Sequence, residues 1–240
     1  MSPDAELMLI FGTLHLIAVA LAIAVVVPKT ASALLPSVGP ERRADETRTH
    51  PLRAWTEPRT LVLGLSVFCW AFIEGTGTDW IGVSVIDGYH ARAASGSLAL
   101  GLFLAALTAG RWFGTASVNR FGRVASLRGS AVLAGVGVII TVYGSWLPLA
   151  LLGVVMWGAG GALGLPVGMS AAADELLFAA GRVGVVTSIG WLAFLSGPPL
   201  VGVLGSRVGT LHALLAAAGL AAATLLLSGV VKPRPAAEAS

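Results

Sequence analysis

Residues 110–128 read GRWFGTASVNRFGRVASLR. The fold turns on how that stretch is divided. One apolar run leads into it and another leaves it. Between them stand Asn119, Arg120, Gly122, Arg123 and Arg128. Arginines do not enter hydrocarbon cheaply, so the core NRFGR is expected at a membrane edge, on the cytoplasmic side. Gly122 permits a tight turn. The reading is helix, short loop, helix.

Composition points the same way. Of 240 residues, 56% are hydrophobic and 11% charged, and mean hydropathy is +0.86. A soluble domain carries roughly 25% charged residues. The 31 glycines suit membrane helices, where small residues let backbones approach. A pI of 9.6 raises nucleic acid as a partner, but the basic residues lack interleaved aromatics and sit beside apolar runs. They read as topology signals, and no nucleic acid is expected. The one cysteine, Cys69, lies inside an apolar run and reads as a packing residue. His15, His50, His90 and His212 are scattered without metal-ligand spacing, so neither metal nor cofactor is expected. The chain has no phosphate-binding G-x-x-x-x-G-K-[ST] loop and no Ser/His/Asp set at a recognisable spacing. Lys29 and Lys232 stand at helix ends, which argues against a retinal-type Schiff base. An enzyme is not expected.

A spanning helix needs about 20 mostly apolar residues. Seven stretches qualify: residues 7–27, 60–80, 95–117, 127–143, 147–167, 183–204 and 211–231. The first has an acidic leader and too long an apolar run for a signal peptide. Residues 29–59 form the long polar segment, rich in Pro, Arg and Glu, and read as a cytoplasmic linker. With that linker inside, twelve basic residues fall in the cytoplasm: Lys29, Arg42, Arg43, Arg48, Arg53, Arg59, Arg120, Arg123, Arg128, Arg182, Lys232 and Arg234. Only Arg92 and Arg207 fall outside, with Arg111 within a helix. This positive-inside bias puts the N-terminus outside and the C-terminus in the cytoplasm of a plasma (inner) membrane. The fold class is an all-α membrane protein of seven transmembrane helices: one helix (1–28), a linker (29–59), a six-helix unit (60–231) and a short tail (232–240).

The NRFGR core resembles the loop signature of the major facilitator superfamily of secondary transporters. Three further segments look like its fucose-permease-like and related uncharacterised bacterial subgroup. They are EGTGTDW at 74–80, GAGGALGLPVG at 158–168 and GWLAFLSGPP at 190–199. The resemblance implies that residues 7–27 match that family's sixth helix and 60–231 its second six-helix half. It implies a gating role for Gly114, Thr115, Asn119, Arg120, Gly122 and Arg123. The family's loop carboxylate is replaced here, by Thr115 in one alignment and Asn119 in the other. The hydrogen bond is kept and the charge attraction to a helix end is lost.

Glu74 is the leading candidate for substrate contact or proton relay, because an ionisable group inside a membrane is a functional hypothesis by default. Asp79 is a second candidate, against solvation at a helix end. In a regular helix these two carboxylates differ by about 140° of rotation. Gly75 and Gly77 weaken the helix between them, so a broken, cavity-lining helix is one expectation. Arg111 is expected to snorkel to the cytoplasmic interface, or else to pair near Asp174 or Glu175. Trp157 and Trp191 are candidate stacking residues for a sugar, weighed against packing. Pro166, Pro198 and Pro199 are candidate hinges.

The expected function is secondary transport of a small solute, a sugar or other organic molecule, with proton coupling through Glu74. The expected partners are the lipid bilayer, the solute, and a separate N-terminal half or a second copy, because the chain reads as truncated. The alternative is a non-transporting helix bundle that binds partners.

Overall fold

The computed structural model describes residues 51–174 and 178–233. All of them lie in one of the chain's two compact units, His50–Ser240. The expected first span, residues 7–27, and most of the linker lie outside the described residues. A 3-10 turn, Pro51–Thr56, leads into the first long helix.

Helix α1 (Pro58–Tyr89) starts on a proline, whose missing N–H is no loss in a first turn. It ends at His90, which adopts the left-handed conformation (φ 50°, ψ 37°). α1 runs unbroken through Gly75 and Gly77, which corrects the expectation of a broken helix there. Those glycines serve packing instead. Gly75 faces the Phe194 ring, and Gly77 has no room for a Cβ against Phe103.

Helix α2 (Ala93–Tyr143) is 51 residues long and is interrupted at Gly122, where φ is 81° and ψ 165°. That backbone region is open essentially to glycine alone. The two limbs fold back on each other there. The hydroxyls of Ser117 and Ser126 are 3.2 Å apart, whereas nine positions of straight helix would span about 13 Å. The expected loop is thus a single residue. Asn119 and Arg120 end the first limb and Arg123 begins the second, because one glycine suffices to reverse the chain and every other backbone group stays in a helix.

Helices α3 (Leu147–Gly161) and α4 (Gly164–Ala172) form one span, Leu147–Ala172, offset at Ala162 and Leu163. Pro166 lies in the first turn of α4 and offers no N–H to the carbonyl of Ala162, so the offset falls where the ladder lacks a donor. Helix α5 (Ala179–Val208) contains Pro198 and Pro199 and continues through them. Gly209 (φ 87°, ψ 147°) makes the second tight turn. The last span, Thr210–Val231, consists of α6 (Thr210–Ala213), α7 (Leu215–Leu227) and a closing 3-10 turn.

Among the described residues there is no strand, and five helices are long and apolar enough to cross a membrane. The six stretches expected over 60–231 fall on these five, α2 serving twice because it reverses at Gly122. Its length would be about 76 Å if straight, more than twice a hydrocarbon core of about 30 Å.

α3 is wedged against both limbs of α2. Gly158 packs on Phe103 and Ala106 of the first limb, and Gly160 on Ser130 and Ala134 of the second. Gly137 and Gly153 bring the backbones of α2 and α3 together. Helices in lipid gain little from the hydrophobic effect, so close approach over small residues supplies the attraction. The core centres on Trp70, Trp157 and Phe103 with Leu63, Ile73 and Ile81. α1 is the most enclosed span and α5 the most open.

Gly122 has nothing near the position of a Cβ, so any cost of substitution there is conformational. Gly122→Ala is expected to lose about 1–3 kcal/mol of stability. Gly129→Ala, also in open space but in ordinary helix, is expected to lose none. Thermal unfolding of both variants in detergent micelles checks this, and equal stability would refute the role given to the turn.

Candidate functional site

The exposed surfaces of the bundle are chemically unequal. The second limb of α2 and the outer face of α3 show Val132, Leu133, Val136, Ile139 and Leu152. The faces of α1 and of the first limb show polar groups as well: Thr78, Asp79, Thr108, Arg111 and Thr115.

On that polar side Arg111 meets Glu74. Its Nη2 donates to both carboxylate oxygens, at 2.7 and 2.8 Å. The arginine side chain is 41% exposed and the glutamate 13%. Glu74 stands at the middle of α1, and Arg111 precedes Gly122 by eleven positions, roughly 16 Å of helix. Both charges therefore sit near the centre of a hydrocarbon layer about 30 Å thick. This corrects the snorkelling expectation for Arg111. An opposite charge at the same depth is a nearer partner than the interface, and pairing lowers the cost of both. The signal was in the sequence: Arg111 is the one basic residue well inside the first limb, and Glu74 is the acid at the matching depth of α1.

The other candidates fall in different places. Trp191 is 41% exposed and packs on Phe194, ring centroids 5.7 Å apart. Phe194 in turn covers Gly75, the residue that follows Glu74 on α1. Trp157 is 0% exposed and stands edge-on to Phe103 at 5.5 Å, inside the packed core. Asp79 is exposed, one turn and a half beyond Glu74 and on a different face of α1. Pro198 and Pro199 lie on α5 just past Phe194. They leave the carbonyls of Phe194 and Leu195 without their helical donors.

A second charged cluster closes the end of the bundle that carries Gly122. Arg123 Nη1 donates to Asp174 Oδ1 and Oδ2 at 2.7 and 2.9 Å, and its Nη2 to Ser170 Oγ at 3.0 Å. Arg59 lies 3.7 Å from the same carboxylate and donates to the Lys232 carbonyl. Arg182 grips Glu57 through Nε and Nη2 at 2.6 and 2.7 Å. Arg128 donates to Ser228 Oγ at 2.9 Å. These contacts tie the starts of α1 and α5 and the ends of α4 and α7 to the α2 turn. Within the turn, Gly114 is buried against Leu163, Thr115 donates to the Trp112 carbonyl, and Arg120 lies over the Phe121 ring. The carboxylate that the turn itself lacks is met by Asp174. Arg123 and Arg59 take Asp174, so the expected pairing of Arg111 near that acid is replaced by its pairing with Glu74.

Among the described residues no group of three or more His, Cys, Asp or Glu is placed to hold a metal ion. What the mid-depth pair offers is electrostatic: a cation and an anion held together on one face at membrane depth.

No family model matches the chain. It is similar to an uncharacterised MFS-type transporter of Yersinia pestis, 26% identical over 162 residues, covering 67% of this chain and 42% of that protein. It is also similar to an uncharacterised transporter of Sinorhizobium fredii, 31% identical over 173 residues, covering 71% of this chain and 46% of that one. The chain spans about half the length of the curated relatives it matches. Among solved structures, the Escherichia coli fucose:proton symporter aligns with a TM-score of 0.68 at 17% identity, over 98% of this chain and 60% of that one. A second structure of that same symporter, described as a major facilitator superfamily transporter in the outward conformation, aligns with a TM-score of 0.65 at 17% identity, covering 98% and 59%. These two likenesses concern the fold.

If Glu74 and Arg111 hold each other at mid-depth, removing one should cost more than removing both. Arg111→Gln is expected to destabilise the bundle by about 2–3 kcal/mol, and Arg111→Gln with Glu74→Gln by clearly less. A double-mutant cycle on thermal unfolding in micelles measures the coupling. Additive losses would show that the pair is not formed in the folded protein.

Proposed function

The chain is related to the major facilitator transporters, fucose-permease-like in fold, over part of their length, and on that premise we propose that it serves in secondary transport of a small solute. The Glu74–Arg111 pair carries this reading. A bundle built only to sit in a membrane has no use for two charges at its centre on an exposed face. The solute, a sugar or other organic molecule, would bind on that face near Glu74 and Trp191, between this half and a complementary one. The complement is a preceding segment of a longer chain, a separately encoded half or a second copy. Rocking of the two halves would then give alternating access. Glu74 is the proposed proton relay, and the turn around Gly122, with Arg123 on Asp174, is the proposed gate at the cytoplasmic end. No catalytic step belongs to this reading. The proposed setting is a seven-helix arrangement in the plasma (inner) membrane, N-terminus outside, with residues 29–59 in the cytoplasm.

A second reading, a non-transporting bundle that binds partners, is favoured by the absence of a carboxylate from the turn itself. Uptake decides between them. Vesicles from cells expressing the chain together with its complementary half are expected to accumulate a labelled sugar or organic acid, with Glu74→Gln lowering uptake at least tenfold, the scale of an essential charge-assisted contact. Absence of uptake across both solute sets would favour the partner-binding bundle.

Orientation is tested separately. In a Cys69→Ser background, a membrane-impermeant maleimide applied to intact cells is expected to label Arg207→Cys and to spare Arg120→Cys. The reverse pattern would invert the proposed topology.

A further inference from the structure

Both contacts from Arg111 to Glu74 come from one nitrogen, Nη2. A guanidinium carries five N–H donors. The two on Nη1 and the one on Nε have no protein partner among the described residues, on a side chain 41% exposed. At mid-depth an open donor on a cation cannot be left to hydrocarbon, so water, a polar ligand or a group of the complementary half must meet it.

The hydroxyls around it are polarised the opposite way. Thr108 and Thr115 stand three positions before and four after Arg111, on its face of α2. Thr78 stands four after Glu74 on α1. Each of the three is exposed, and each turns its O–H back to the backbone: Thr78 to the Glu74 carbonyl at 2.9 Å, Thr108 to Leu104 at 2.8 Å and Thr115 to Trp112 at 3.0 Å. What they present outward is lone pairs. The face thus offers cationic donors at its centre and neutral acceptors around them. A solute that satisfies both carries an anionic acceptor and several hydroxyl donors.

Resting on the transport reading and deepening it, we propose that this site takes a hydroxylated carboxylate, a sugar acid or hydroxy acid. The carboxylate docks on the Nη1 and Nε side of Arg111 while Glu74 holds Nη2. The hydroxyls donate to Thr78, Thr108 and Thr115. A neutral polyol leaves the guanidinium donors unmet and binds more weakly. Arg111 suits the task better than a lysine would, because its planar donors can serve two carboxylates at once.

The matched probes are D-gluconate and D-glucitol, which share a carbon chain and differ in the carboxylate. Binding of each to the purified full chain in lipid nanodiscs is measured by titration calorimetry. Gluconate is expected to bind about ten- to a hundredfold more tightly than glucitol, the range of hydrogen bonds to a charged group. Glu74→Gln keeps the arginine and frees its charge, so it is expected to tighten gluconate binding. Arg111→Gln with Glu74→Gln removes both charges without stranding either, and is expected to abolish the preference for gluconate. Arg92→Gln, at the far end of the first limb, is expected to bind as the parent does. Glucitol binding as tightly as gluconate would overturn the proposal, as would a double variant that keeps the preference or a parent that binds neither probe. Uptake of a neutral sugar by vesicles that carry the chain and its complementary half would then leave the transport reading standing. Absence of uptake as well would remove both.

Discussion

Hydrocarbon offers no hydrogen-bond partner, and this one constraint shapes the described bundle. Every backbone N–H and C=O at membrane depth must be satisfied within the chain, which in an α-type protein means continuous helix. The turns show how little departure is tolerated. At Gly122 the chain reverses on one residue, with helix on either side. At Gly209 it does so again between α5 and the last span. Prolines are accepted where the helix can absorb them, in the first turn of α4 and within α5. α1, which has no such interruption, runs straight through two glycines.

The same solvent removes the usual reason for helices to associate. Lipid tails are as apolar as leucine, so burial of apolar surface gives little, and contact distance decides. α3 answers this with glycine on two of its sides, toward Phe103 of one α2 limb and Ala134 of the other. Fixing both limbs against one helix also fixes the reversal at Gly122. Arg111 and the Arg123 cluster therefore hold set depths in the bundle.

Charge distribution follows from the same cost. Arg59, Arg123, Arg128 and Arg182 gather at one end and are held there by Asp174, Glu57 and Ser228. Because those contacts reach the ends of several helices, this end behaves as a clasp. Glu74 and Arg111 depart from the pattern, and they do so on the one face that also exposes threonine hydroxyls. In a membrane such a face suits contact with water, a solute or another polar surface, whereas the Val132–Ile139 side suits lipid. The contrast separates a polar side of the bundle from a side suited to lipid.

Much of this was legible in the amino-acid order. Apolar runs of spanning length, the arginines between them and a glycine inside NRFGR determine where the helices lie and where α2 turns, because transfer into hydrocarbon depends on local composition. The stretches 74–80, 158–168 and 190–199 point to the same family as the relatives do, and the solved structures share the fold. The choice of partners was not legible. Glu74 and Arg111 are 37 positions apart, and Arg123 and Asp174 are 51 apart. Arg111 had several acids within reach on paper, and only packing shows that Asp174 is taken at the far end while Glu74 lies level with it. Trp157 and Trp191 looked alike as aromatics in apolar runs, yet one is enclosed between helices and the other open. Sequence determined depth and turning points, since those follow from each segment's own solvation. Tertiary structure decided pairing and exposure, since those depend on which helices the glycines allow to touch.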